Sequence, residues 1–160
     1  MGRSRRGLIP PEWVGQRLTA IGPFLAEPGV EHVTYTFTDL PELATDWCRF
    51  VLEVTVPAEP TPAIVDELIE RWNWYRPLHA THAGELRDGV VRLYRACDDY
   101  LPRELSDAEV VAQAQRGMIQ ISPRTEGESP LAAELFVAFD GDHGPLFEWD
   151  GVVLGWSQIG

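Results

Sequence analysis

Two runs of strict alternation decide what kind of fold this chain can reach. In "VEHVTYTFTDL", Val33, Tyr35 and Phe37 alternate with Thr34, Thr36 and Thr38. In "WCRFVLEVTV", Cys48, Phe50, Leu52, Val54 and Val56 share one face. Successive side chains of a strand point to opposite sides, so this period marks strands with one face on a core. The runs lie close together and most simply pair as antiparallel neighbours. A sheet with one apolar face needs a second layer, and the chain supplies helices for it.

The best helix is "AEPTPAIVDELIERWNWYRP". Thr61 can cap it, Pro62 suits its first turn, and Asp66 and Glu67 lie near its positive end. Ile64, Val65, Leu68, Ile69, Trp72 and Tyr75 make a wide apolar face, and Pro77 stops the helix. A first helix should start at Pro11 with Trp13, Val14, Leu18, Ile21 and Leu25 on its apolar stripe. Gly22-Pro23 should kink or end it, and Pro28-Gly29 ends it. A third helix starts at Ser106, which forms a capping box with Glu109 while Leu105 and Val110 take staple positions. Gly117 is placed to stop it.

The segment "HAGELRDGVVRLYRAC" reads as a hairpin turning at Asp88-Gly89. After Gly117 come four strand-like runs, "MIQIS", "AELFVAFD", "PLFEW" and "VVLGWSQ". "PRTEGESP" makes an exposed loop between the first two, and Asp150-Gly151 a second hairpin turn. The expectation is an α+β fold: an antiparallel sheet with helices packed on one face. Residues 1–9 form a flexible basic arm, and residues 10–160 a single domain with a β-rich portion over 117–160.

Charge narrows the partners. The net charge is −12, yet Arg3, Arg5 and Arg6 lie in the arm, so the remainder sets ten arginines against 25 carboxylates. Phosphate neutralisation supplies most nucleic-acid affinity, so a body this acidic argues against DNA or RNA. A basic partner would be steered towards it, although acidity also serves solubility. All 13 basic residues are arginine, which with abundant Ala, Gly and Pro suggests a GC-rich bacterial genome. Two cysteines without CxxC spacing fit reduced thiols, no secretory signal is visible before Pro10-Pro11, and no apolar run reaches membrane-spanning length. A cytoplasmic location without membrane association is expected.

Candidate chemistry is thin. His79, His82 and Glu85 recur every three residues, a metal-ligand spacing on a helix. On the extended segment expected after Pro77 those side chains diverge. "DGDHG" brings Asp140, Asp142 and His143 together, but Pro145 and Gly151 stand where a calcium loop needs Gly and Glu, so a solvated turn is expected. Asp98 and Asp99 in "CDDY" would point oppositely in a strand. "GWSQIG" has its glycine one place late for a nucleophile elbow and no helix after it. No catalytic, metal or cofactor residues are assigned.

The aromatic stretch "LIERWNWYRPLHATH" divides by helical spacing. Trp72 continues the stripe from Leu68, whereas Trp74 stands about 200° further round the helix. Trp74 and Tyr75 are therefore the candidate partner-binding residues.

From Cys48 to about Gly117 the chain resembles the YbjN-type, type III secretion chaperone-like domains of bacteria. The resemblance rests on the strand "FVLEV", the helix "IVDELIERWNWYR" ending in Trp72-Asn73, the hairpin "GELRDGVVRLYRA" with its Asp88-Gly89 turn, and the closing helix led in by "LSDAEV". It implies a non-enzymatic chaperone- or adaptor-like domain, often a homodimer, that binds protein segments and has no catalytic residues or cofactors.

The function expected is non-catalytic protein binding, with a partner encoded nearby. The second reading is an immunity protein that covers a basic toxin surface by charge complementarity. The third is a metal-dependent or acid/base enzyme using His79, His82, Glu85 or the Asp140–His143 loop.

Overall fold

The computed structural model describes residues 9–96, 105–123, 130–137, 145–149 and 154–159. Residues 1–8 of the basic arm, the "CDDY" run, most of "PRTEGESP", the "DGDHG" run and Asp150-Gly151 lie outside the described residues.

The alternating runs form strands as their period requires. β1 (Leu25–Pro28), β2 (His32–Phe37) and β3 (Arg49–Pro57) pair antiparallel, with Val33 opposite Val56, Tyr35 opposite Val54 and Phe37 opposite Leu52. The same parity buries Val33, Tyr35 and Phe37 with Phe50, Leu52, Val54 and Val56. β1 was not foreseen. Leu25 was expected to extend the first helical stripe, but α1 (Glu12–Leu18) ends seven residues earlier and Leu25 lies on an exposed edge strand.

α2 (Pro62–Tyr75) starts as its sequence dictates: the Thr61 side chain accepts from the Ile64 N–H, 3.2 Å away, and Pro62 occupies the first turn. Val65, Leu68, Trp72 and Tyr75 are its buried residues. Pro77 then falls inside a short 3-10 turn, Arg76–Leu78, which leads directly into a further helix.

That helix, α3 (His79–Ala96), replaces the expected hairpin. Asp88-Gly89 sits in mid-helix and makes no turn. His79, Ala83, Leu86, Val90 and Tyr94 recur at intervals of three and four and are all buried, which is helical and not strand periodicity. The strand–turn–strand element carried by the chaperone-like resemblance is thus absent from this stretch. α4 (Asp107–Ala112) has both hydrogen bonds of its capping box, Glu109 N–H to Ser106 Oγ and Ser106 N–H to Glu109 Oε1.

Gly117 does not stop α4, which ends five residues earlier; it lies within β4 (Ala114–Ile121). There it pairs with Phe50, and a Cβ at this position would stand 2.4 Å from the Phe50 ring. Only glycine leaves room for that ring beneath the adjoining strand. β4 runs parallel to β3, because the chain crosses the helical layer between them and re-enters the sheet at the end where β3 began. β5 (Leu131–Val137), β6 (Pro145–Trp149) and β7 (Leu154–Ile159) follow antiparallel. Among the described residues the sheet has seven strands in sequence order, β1 to β7. The β-rich C-terminal portion therefore continues the same sheet, and the fold is α+β and mostly antiparallel, with one parallel pair at its centre.

The helices and the buried face of the sheet share one core, with Trp72, Trp149, Tyr35, Tyr75 and Tyr94 among its largest members. Polar ties fix the helical layer. Arg17 of α1 meets Asp66 of α2 at 2.7 Å. The Arg71 guanidinium donates to the Ser122 and Pro130 carbonyls and pairs with Glu67, anchoring α2 to the facing ends of β4 and β5. Arg95 donates to the Leu105 carbonyl and to Asp107, joining α3 to α4. No helix among the described residues is long and apolar enough to cross a membrane.

Candidate protein-docking surfaces

Trp74 and Tyr75 are neighbours in α2 with opposite fates. Tyr75 is fully buried and cannot meet a partner, which corrects its assignment as a contact residue. It closes the α2 stripe after Leu68 and Trp72, where helical spacing had also placed it. Trp74 is 37% exposed. It lines a groove of about 290 Å³ with Glu67, Glu70, Arg71, Pro130 and Leu131. An exposed indole beside two apolar residues and carboxylates is a surface that can hold a partner's side chain.

Behind Tyr75 lies an aromatic cluster. The Tyr75 hydroxyl is 2.7 Å from His79 Nδ1. The His82 ring stacks on Tyr75 at 5.9 Å, Trp149 stands edge-on to both, and Phe50 stands edge-on to His79 at 4.8 Å. Burial holds the Tyr75 phenol well above its ordinary range, so it stays protonated in its hydrogen bond with Nδ1. Burial also lowers the His79 pKa to about 4, an effect the Leu43 backbone partly opposes and His82 reinforces. His79 Nε2 makes no hydrogen bond of ordinary geometry, although the Leu43 backbone is close enough to act on it.

The helix does bring His82 and Glu85 together, with Nδ1 and Oε2 3.6 Å apart. His79 faces the core with its Nδ1 committed to Tyr75. Among the described residues no group of three or more His, Cys, Asp or Glu is placed to hold a metal ion. The Asp140, Asp142 and His143 candidates, like Cys97, Asp98 and Asp99, lie outside the described residues. Cys48 is a buried free thiol whose pKa desolvation pushes up to about 12. A thiol held protonated in this way is a poor nucleophile.

A second surface was not assigned from the sequence: the face of the sheet that no described helix covers. In β2 to β6 its residues are the alternate members of the strands, all intermediate or exposed where the opposite parity is buried. Strand pairing aligns Thr36, Glu53, Gln120, Ala132 and Glu148 across β2 to β6. A depression of about 430 Å³ opens there, lined entirely by side chains of this face and of the β4 end. Burial raises the Glu53 pKa, and Glu134 and Glu27 raise it further against a smaller opposing effect of Arg116. A signal for this surface exists in the sequence: "FVLEV", "AELFV" and "PLFEW" each place one glutamate at the parity opposite the core residues. No protein-family model, curated protein or solved structure matches this chain.

Proposed function

We propose that this chain is a non-catalytic protein-binding domain of chaperone- or adaptor-like kind. One observation carries the reading. Over β2 to β6 the sheet buries one face under helices and leaves the other uncovered by any described helix, with apolar Val51, Met118, Ala132 and Leu146 set among carboxylates. An extended sheet face with mixed apolar and charged side chains has the composition of a non-obligate interface. The exposed Trp74 groove offers an aromatic anchor of the type that dominates interface energies.

The test is co-expression with the products of the neighbouring genes. A one-to-one complex that reforms from separately purified components supports the reading. If no neighbouring product forms such a complex with the intact chain, the adaptor reading fails.

A second reading has one observation in its favour. The carboxylates of the open face and the net charge of −12 suit an immunity protein that covers a cationic toxin surface. Protection of cells expressing a neighbouring toxin domain would select it, and absence of protection would remove it.

A further inference from the structure

The open face is acidic at its centre, where Arg116 offsets only part of the charge around Glu53. Glu53 lies in the middle rung, and Glu148 lies in the same rung on β6. Glu27, opposite Thr34, and Glu134, opposite Met118, stand in the two flanking rungs of the same face. At strand spacings of about 4.8 Å, the other three carboxylates fall roughly 10–15 Å from Glu53. None of the four has an ion-pair partner among the described residues. The Arg116 guanidinium on this face lies over the Phe136 ring, 4.6 Å away, one rung along from Glu134, and its effect on Glu53 is smaller than the opposing ones. Between the carboxylates, the short side chain of Ala132 and the Gln120 amide leave the depression open.

We infer that this face docks a lysine- or arginine-bearing segment of a partner protein, with one cationic side chain seated between Glu53 and Glu148. The inference rests on the protein-binding reading and names the partner chemistry for it. Aliphatic parts of the segment lie over Val51, Met118 and Leu146, and His32 borders the depression. Charge excludes the other occupants. A second copy would set four carboxylates against four, and nucleic acid or an anionic bilayer would meet the same repulsion. A cation has the opposite effect, since it relieves the burial and mutual repulsion that hold Glu53 above its usual range.

Size sets the strength. From β1 to β6 the face covers on the order of 500 Å² at ordinary strand spacing and rise. A stable interface takes about 800 Å² from each partner. Binding through this face alone is therefore weak, fast and steeply salt-dependent.

The experiment titrates 15N-labelled full-length protein with a nine-residue arginine-rich peptide, its citrulline counterpart and an all-glutamate counterpart. The arginine peptide is expected to shift the amides of Thr34, Glu53, Gln120, Ala132 and Glu148. Its affinity should fall at least tenfold in the E53Q/E148Q variant and less than twofold in E12Q/E42Q, which removes equal charge from the helical side. Equal losses in both variants would mean diffuse attraction and overturn the inference. Citrulline peptide binding as well as arginine at the same amides overturns the charge selection and leaves the protein-binding reading standing. Shifts gathered around Trp74 move the site off this face and overturn the inference alone. No shift with any of the three peptides also overturns it, while the co-expression test decides the broader reading separately.

Discussion

Tyr75 Oη and His79 Nδ1 lie 2.7 Å apart, one helical turn from each other across the junction of α2 and α3, and both residues are buried. The hydrogen bond gives both the phenol and Nδ1 of the imidazole a partner inside the core. A neutral histidine thus forms part of the core, and protonating it requires bringing a charge into an aromatic cluster.

The first prediction concerns pH. The folded-state pKa of His79 is lowered to about 4, below the ordinary value of 6.5. The unfolded chain therefore binds the proton first, and the stability supplied by this residue is complete above pH 6.5 and lost as pH falls towards 4. The loss should be about 2 kcal/mol by pH 5 and about 3 kcal/mol in full. Urea unfolding at pH 7, 5 and 4 measures it, and the Y75F/H79F double variant should lose that part of the slope.

The second prediction separates the two readings of residues 79–96. Gly84 lies within α3, and a Cβ there would have nothing within 4 Å. Gly84→Ala should then stabilise the protein by about 0.5–1 kcal/mol through helix propensity alone. Destabilisation by thermal or urea unfolding would contradict a helix at this position.

At Gly117 the opposite sign is expected. Its absent Cβ leaves space that the Phe50 ring fills. Gly117→Ala forces the ring or strand to move and should cost about 1–3 kcal/mol. In an F50A background the same change should cost much less, and a double-mutant cycle reads the coupling.

Trp72 and Trp74 should differ sharply. Trp72 is 1% exposed, and truncating it to alanine should cost about 3–5 kcal/mol. Trp74→Ala at the groove should cost about 1 kcal/mol or less. If the two variants unfold at the same denaturant concentration, Trp74 is core and the groove is no surface for a partner.

Cys48 should be inert when folded. With the thiol held at a pKa of about 12, its thiolate fraction at pH 8 falls on the order of 10³-fold below that of an ordinary cysteine. In a C97S variant, an aromatic disulfide reagent should react slowly with native protein and rapidly in urea.

Local signals were readable where one interaction over a few residues settles the outcome. Thr61-Pro62 and Ser106–Glu109 are caps whose donors and acceptors lie three residues apart, and both helices start where these predict. The Val33–Phe37 and Phe50–Val56 alternations specify their buried faces, and even their pairing follows. Asp88-Gly89 is a turn signal only two residues long, and a helical spacing spread over sixteen residues overrides it. His79, Ala83, Leu86, Val90 and Tyr94 carry that spacing, and their burial against the sheet outweighs the cost of helical glycine. Tyr75 misled for a related reason. Its place on the apolar stripe was legible, but its adjacency to Trp74 suggested a shared surface that a helix divides.

By itself the sequence determined the period of β2 and β3, the caps of two helices, the acidic balance and the α+β class, since these follow from residues near one another in the chain. Only the tertiary structure decided that β4 returns parallel beside β3 and that Glu53, Glu134 and Glu148 meet on one open face. Strand order and register are set by which distant segments bury each other's apolar faces. That choice turns on a ring filling the space above Gly117 and on helices crossing the sheet, and no local pattern encodes it.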